Sequence, residues 1–212
     1  MDGDFFMGKQ FRRIGIAALI AASVLTGGLL RDSRQLQEEI LRLHVVAASD
    51  ETEDQTVKLQ VRDAVLGSLE QELAHLSDPQ AVFAYVESVL PKLEALANTV
   101  LEQAGVSDRA QVQLTEEAFP RREYDTFSLP AGIYHSLRVI IGEGAGHNWW
   151  CVVFPGLCTG KNVEEFREKA EDSGFSDDLT GSLTGEYEIR FWLLDQVGRL
   201  RNYLAKITEP VV

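Results

Sequence analysis

Apolar and polar positions change their spacing several times along the chain, and each change marks an element. From Ile14 to Leu30 the run IGIAALIAASVLTGGLL is uncharged, follows Lys9, Arg12 and Arg13, and shows no polar face. That is the pattern of an export segment. It reads as a cleaved signal peptide or as a short uncleaved anchor, since an ideal spanning helix needs about 20 residues. Residues 31–39 are polar and predict a tether. In ILRLHVVAASD, Leu41, Leu43 and Val45 alternate with Arg42 and His44, which predicts a strand.

Past that strand the period becomes helical. Asp50, with Glu51, Glu53 and Asp54 beside it, predicts a capped helix start, and Val57, Val61, Val65, Leu69 and Leu73 recur every four residues as its buried stripe, with Lys58, Arg62 and Glu70 on other faces. Asp78-Pro79 predicts a second start. Its stripe is Val82, Val86, Val89, Leu93, Leu96 and Val100, with Pro91 expected to kink or divide the helix and Gly105 to end it. The two helices suit an antiparallel pair.

Alternation then returns. QVQLTE (111–116), EYDTFSL (123–129), YHSLRVII (134–141) and NWWCVVF (148–154) predict consecutive antiparallel strands, punctuated by Pro120, Pro130-Ala131-Gly132 and Pro155-Gly156. The fold class expected is α+β: an antiparallel sheet of four to five strands with a helical pair packed on one face, plus a C-terminal helix. The chain divides into residues 1–30, signal peptide or anchor; 31–39, tether; 40–160, the α+β domain; 161–185, a charged helix and a Ser/Gly/Asp-rich linker; and 186–212, an amphipathic helix. The stripe expected on that last helix is Ile189, Leu193, Val197, Leu200 and Leu204, which would dock on the domain, the commoner outcome, or on a partner.

Charge narrows the ligands. The 33 acidic and 20 basic residues give −13 at neutral pH, and the acidic excess persists once the first thirty residues are set aside. Such a surface repels nucleic acid and anionic headgroups, so no nucleic-acid partner is expected, and the membrane is expected to be met only through the N-terminal segment.

Chemistry concentrates in GEGAGHNWWCVVFPGLC, residues 142–158, which holds both cysteines. Three readings compete. Cys151 and Cys158 form a disulfide across a tight turn, the usual state of two cysteines in an exported chain. Alternatively Cys151 is a thiolate nucleophile with His147, His44 or His135 as base, making the protein an exported cysteine hydrolase acting on cell-wall material. A zinc site from Cys151, Cys158 and His147 lacks a fourth ligand, so no metal and no cofactor is expected. The glycines at 142, 144 and 146 resemble a phosphate loop, but a strand follows them and Glu143 repels phosphate. They predict instead a connection with positive φ that presents Glu143 and His147. Trp149 and Trp150 point to opposite faces of a strand, one of them available as a contact anchor. Asp172-Ser173-Gly174 matches the aspartic-peptidase triplet, but its charged setting marks coincidence, and His75 reads as solvated.

Two stretches, LRLHVVAASDETEDQTVKLQVRDAVL (41–66) and LPAGIYHSLRVIIGEGAGHNWWCVVFPGLC (129–158), together with the export segment, resemble the stage II sporulation protein R family. Ala48 stands where asparagine is expected before Ser-Asp, and Gly156 where a second proline is usual. The resemblance implies a non-enzymatic signal of endospore-forming bacteria, exported into the space between forespore and mother cell. There it would activate a membrane-embedded aspartic protease of the mother cell, which processes the precursor of an early sigma factor. The partner-binding residues expected are Glu143, His147, Asn148, Trp149 and Trp150.

Overall fold

The structure is a computed structural model and describes residues 3–156 and 162–208. In chain order the elements are α1 (Gly3–Glu39), β1 (Leu41–Val46), α2 (Thr52–Leu73), α3 (Pro79–Gln103), β2 (Ala110–Phe119), β3 (Arg122–Glu123), β4 (Ser128–Leu129), β5 (Gly132–Ile141), β6 (Asn148–Phe154), α4 (Val163–Asp172), α5 (Asp177–Leu183) and α6 (Glu188–Thr208). The class is α+β. The sheet, however, is mixed rather than antiparallel: its order is β2-β5-β1-β6, and β1 runs parallel to β5 but antiparallel to β6. The N-terminal strand inserts between β5 and β6, so the glycine connection joining those two must pass over the end of β1. Local alternation predicts that a segment is a strand but carries no information about its neighbours. The segment expected as a strand over 123–129 instead forms a separate ribbon, β3 with β4.

The α2–α3 pair covers one face of the sheet, as expected. Val57, Val61, Val65, Leu69 and Leu73 are all buried there against Leu41, Leu43 and Val45 of β1 and Leu137, Val139 and Ile141 of β5. Asp78 caps α3 by accepting from the amides of Gln80 and Ala81. Pro91 does not divide α3, which runs unbroken to Gln103. The fully buried positions of α3 are Val82, Val86, Leu93, Ala97 and Leu101, so its second half is turned one position from the expected Leu96 and Val100. At the start of α2 the expected cap is not formed: the N-cap is Glu51, without a side-chain bond, and Asp50 is engaged elsewhere. Lys58, expected on an outer face, is buried.

The opposite face is also covered, which alternation did not predict. A second core joins Leu36 and Ile40 to Phe119, Phe127, Tyr134 and Val152, and to Phe166 of α4, Leu179 and Leu183 of α5, and Phe191 and Leu194 of α6. The stretch expected as a tether is therefore the last part of α1, with Asp32, Ser33 and Leu36 buried, and the Ser/Gly/Asp-rich stretch contains the buried helix α5. With helices on both sides, every residue of β1 is buried, Arg42 and His44 included. Asp172 closes α4 and Gly174 turns the chain with φ 85°, so the peptidase-like triplet is a helix end. Among the described residues no helix is long and apolar enough to cross a membrane.

Candidate recognition site

The glycine connection, residues 142–147, crosses the C-terminal end of β1 and is held there by backbone. The amides of Ala145 and Gly146 donate to the carbonyls of Ala48 (3.2 Å) and Ala47 (3.0 Å), and Gly144 donates to Ile141 (3.0 Å). Gly142 and Gly144 take positive φ, 58° and 64°, as expected of them. Gly146 serves a different purpose, because a Cβ there would lie 2.1 Å from the Ser49 carbonyl oxygen. Ala48 contributes to this crossing through its carbonyl, which an asparagine would supply equally.

The connection ends at His147, whose ring and backbone amide both meet Asp50, the amide donating over 2.7 Å. The His147 carbonyl accepts from the buried ammonium of Lys58 (3.0 Å), which also donates to Gln55 (2.6 Å). Burial lowers the Lys58 pKa from its ordinary value, and the charge of Asp50 opposes that shift. The tip of the connection is thus tied to the start of α2 by a cation and an anion expected on an outer face and in a helix cap. Glu143, His147 and Asn148 are exposed.

Beneath the tip lies a polar cluster on the α6 side of the sheet. His44 Nδ1 is 3.1 Å from a Glu117 carboxylate oxygen, and His44 Nε2 is 2.8 Å from Asn148 Oδ1. Arg138 Nε lies 3.2 Å from the same carboxylate. Burial pushes the Glu117 carboxyl up, but hydrogen bonding to His44 and Ser136, with electrostatic attraction from His44 and Arg138, outweighs it and holds the group below the usual carboxylate range. Two residues earlier on the same face of β1, Arg42 is 0 % exposed, donates to the Tyr124 hydroxyl (2.7 Å) and lies 3.9 Å over the Phe119 ring. Its neighbours compensate its charge by π contact rather than by a carboxylate.

Trp149 and Trp150 do point to opposite faces, and both are half-buried. Trp149 packs on the α2–α3 core with Arg62 4.7 Å over its ring, while Trp150 carries Arg122 at 3.5 Å and stands 5.5 Å from His44. Trp149 is thus the ring on the first core and Trp150 the one against the second core, which includes Phe191 and Leu194 of α6, and each is pinned by an arginine. They flank β6, the last strand of the described sheet. A groove of about 1000 Å³ runs along it between α2 and α4, lined by Arg62, Leu66, Trp149, Trp150, Tyr124 and Lys169.

The register of β6 against β1 bears on the nucleophile reading. Cys151 pairs with Leu43 and Trp150 with His44, so the buried Cys151 faces the α2–α3 core while His44 faces away from it. His135 packs on Phe83, two strands away from β6, roughly 10 Å across the sheet. His147 is occupied by Asp50 at the exposed tip. None of the three histidines proposed as a base is directed at the sulfur. Cys158, the expected disulfide partner, lies outside the described residues, as does the zinc set that needs it. No group of His, Cys, Asp and Glu suited to a metal occurs among the described residues.

Comparison with known proteins agrees with this architecture's most distinctive stretch. The family described as Stage II sporulation protein R (spore_II_R) matches residues 37–164, from the end of α1 through all six strands to the first turn of α4. The chain belongs to the stage II sporulation protein R family. It is similar to "Stage II sporulation protein R" of Bacillus subtilis (strain 168), with 28 % identity over 158 residues, 72 % of this chain and 70 % of that one. No solved structure matches it. The matched range includes the glycine connection, both tryptophans and the His44–Glu117 pair, and stops short of α5 and α6.

Proposed function

We propose that this member of the family is an exported signal of endospore formation. It binds, and so switches on, a membrane-embedded aspartic protease of the mother cell that processes the precursor of an early sigma factor. It works in the space between forespore and mother cell. Family membership supports the sporulation role, and the apolar run following three cations supports export. The activation step is one of binding: a ligand shifts a two-state partner only by preferring one of its states, and chemistry remains with the partner.

One observation carries the binding reading. The polar groups around the tip are spent on one another, His147 on Asp50, Lys58 on the His147 carbonyl, and His44 on Glu117 and Asn148, next to a groove bordered by two arginine-pinned tryptophans. This is a pre-shaped surface with aromatic anchors, the arrangement that binding hot spots favour. A cysteine hydrolase would instead require a base directed at Cys151.

The test reconstitutes the protease and its precursor in vesicles and adds the purified full chain. Cleavage of the precursor begins only when the chain is present. Trp149→Ala raises the concentration for half-maximal cleavage by about tenfold or more, the size expected for loss of a buried aromatic anchor. Absence of cleavage, or hydrolysis of wall fragments by the chain alone that Cys151→Ser abolishes, overturns the reading.

A further inference from the structure

Helix α6 docks by a face other than the one its apolar spacing predicts. Buried against the domain are Phe191, Leu194, Asp195 and Gly198. Asp195 is sealed in the contact, accepting from the amide of Ala131 (2.8 Å) and from Arg199 Nε (2.7 Å). At Gly198 the helix backbone meets the domain so closely that a Cβ would stand 1.5 Å from the Ala131 carbonyl oxygen. Asn202 extends the same face by donating to the Phe119 carbonyl (2.9 Å). The dock is therefore partly polar and fixed in rotation.

What this rotation turns outward is the larger apolar face. Ile189 is 78 % exposed, Trp192 56 %, Leu200 58 %, Tyr203 63 %, Leu204 46 % and Ile207 59 %, with Leu193 and Val197 half-buried at the margin. At about 100° per residue these positions share an arc of roughly 140°, interrupted only by Gln196. Soluble monomers rarely leave so continuous an apolar surface uncovered.

The charges around the arc indicate its occupant. In a chain of net −13, α6 carries Arg190, Arg199, Arg201 and Lys206 against Glu188 and Asp195. Arg199 and Lys206 fall on one margin of the arc, Arg190 and Arg201 on the other. Arg190 is partly committed to Asp32 and Asp178, and Arg199 to Asp195, so the apolar arc outweighs the cations. Aromatic and aliphatic side chains on one face with basic residues along both edges are the composition of a helix lying in the headgroup boundary of a bilayer. The position of α6 in the fold agrees: it packs along α1 through Arg190 to Asp32 and Arg201 to Gln37, immediately beyond the apolar stretch whose Ile20, Val24, Leu25 and Leu30 are also exposed.

We propose that α6 is a bilayer-surface helix that seats the domain on a membrane through Ile189, Trp192, Leu200, Tyr203, Leu204 and Ile207. Contact with lipid then involves both ends of the chain, and the domain is held in one orientation on the surface. This goes beyond the signalling role and stands whether or not the protease is the partner.

The test uses the full chain bound to mixed phosphatidylcholine–phosphatidylglycerol vesicles, with nitroxide-labelled lipids quenching tryptophan emission. The signal of Trp192 is isolated by subtracting the Trp192→Phe variant. Shallow nitroxides are expected to quench the Trp192 emission. The double variant Leu200→Glu, Leu204→Glu, whose fold is checked by circular dichroism, should lose that quenching while still floating with the vesicles through its N-terminal segment. Unquenched Trp192 in a chain that floats, or equal quenching in the double variant, overturns the proposal. So does a lipid-free, concentration-dependent dimer that the double variant abolishes, since the face would then belong to a second copy.

Discussion

Gly146 shows how much of the site rests on a missing side chain. Its close approach to the Ser49 carbonyl lets the connection between β5 and β6 lie directly on the end of β1. Gly146→Ala must lift the connection and break its bond to Ala47, a change expected to cost about 1–3 kcal/mol in urea denaturation. Glu117 provides a second expectation, in pH. Its folded pKa lies below the unfolded value, so its contribution is present at neutral pH and is lost as pH falls from the ordinary carboxylate range through the lower folded value. Glu117→Gln is expected to be less stable at neutral pH by about 1.5–3 kcal/mol, the worth of hydrogen bonds to a charged group. The gap to the parent protein should narrow in acid, as read from denaturation midpoints across pH. Asp50 and Lys58 depart from their sequence expectation for one reason: an acid before a helix and a lysine inside one have common local roles, and only the crossing connection gives them distant partners.

At the scale of elements, spacing predicted what would be helix or strand better than what each would touch. β6 has the boundaries that NWWCVVF predicted, and the α2 stripe is buried at every expected position. The α6 stripe is the instructive exception. Its four-residue repeat is real, but the docked face is selected by Gly198 and Asp195, a close backbone approach and a buried carboxylate that hydrophobic spacing counts as blanks. Two glycine substitutions in helices should therefore behave oppositely. Gly198→Ala forces α6 off Ala131 and should lower the melting temperature. Gly67→Ala, in the middle of α2 where an added Cβ meets nothing within 4 Å, should stabilise the protein by about 0.5–1 kcal/mol. Thermal melts of the two variants check both signs.

For the whole molecule, the consequence of covering the sheet on both faces is a buried polar layer. Arg42 and His44 occupy the polar positions of an alternating strand and would face water in a two-layer fold, but α1, α4, α5 and α6 close over them. That third layer makes the His44–Glu117–Asn148 linkage beneath the recognition tip possible, and it mounts α6 beside α1. The cysteines belong to this scale too, since a bridge would fix the middle of β6, at Cys151, to Cys158 in the stretch of chain before α4. The intact full chain is expected to weigh less by two hydrogens than its reduced form and to resist thiol alkylation until reduced. Two thiols alkylated without reductant would exclude the bridge.

Sequence by itself determined the strands of the main sheet, the two long helices with the buried stripe of α2, the glycine connection and the family, because these depend on short-range periodicity, backbone freedom and a long unusual motif that survive without coordinates. Tertiary structure alone decided the insertion of β1 between β5 and β6, the burial of Arg42, His44 and Lys58, the joining of Asp50 to His147, and the outward apolar face of α6. Each of these depends on which distant segment covers a given face, and a residue's partner across the fold leaves no trace in the spacing of its neighbours along the chain.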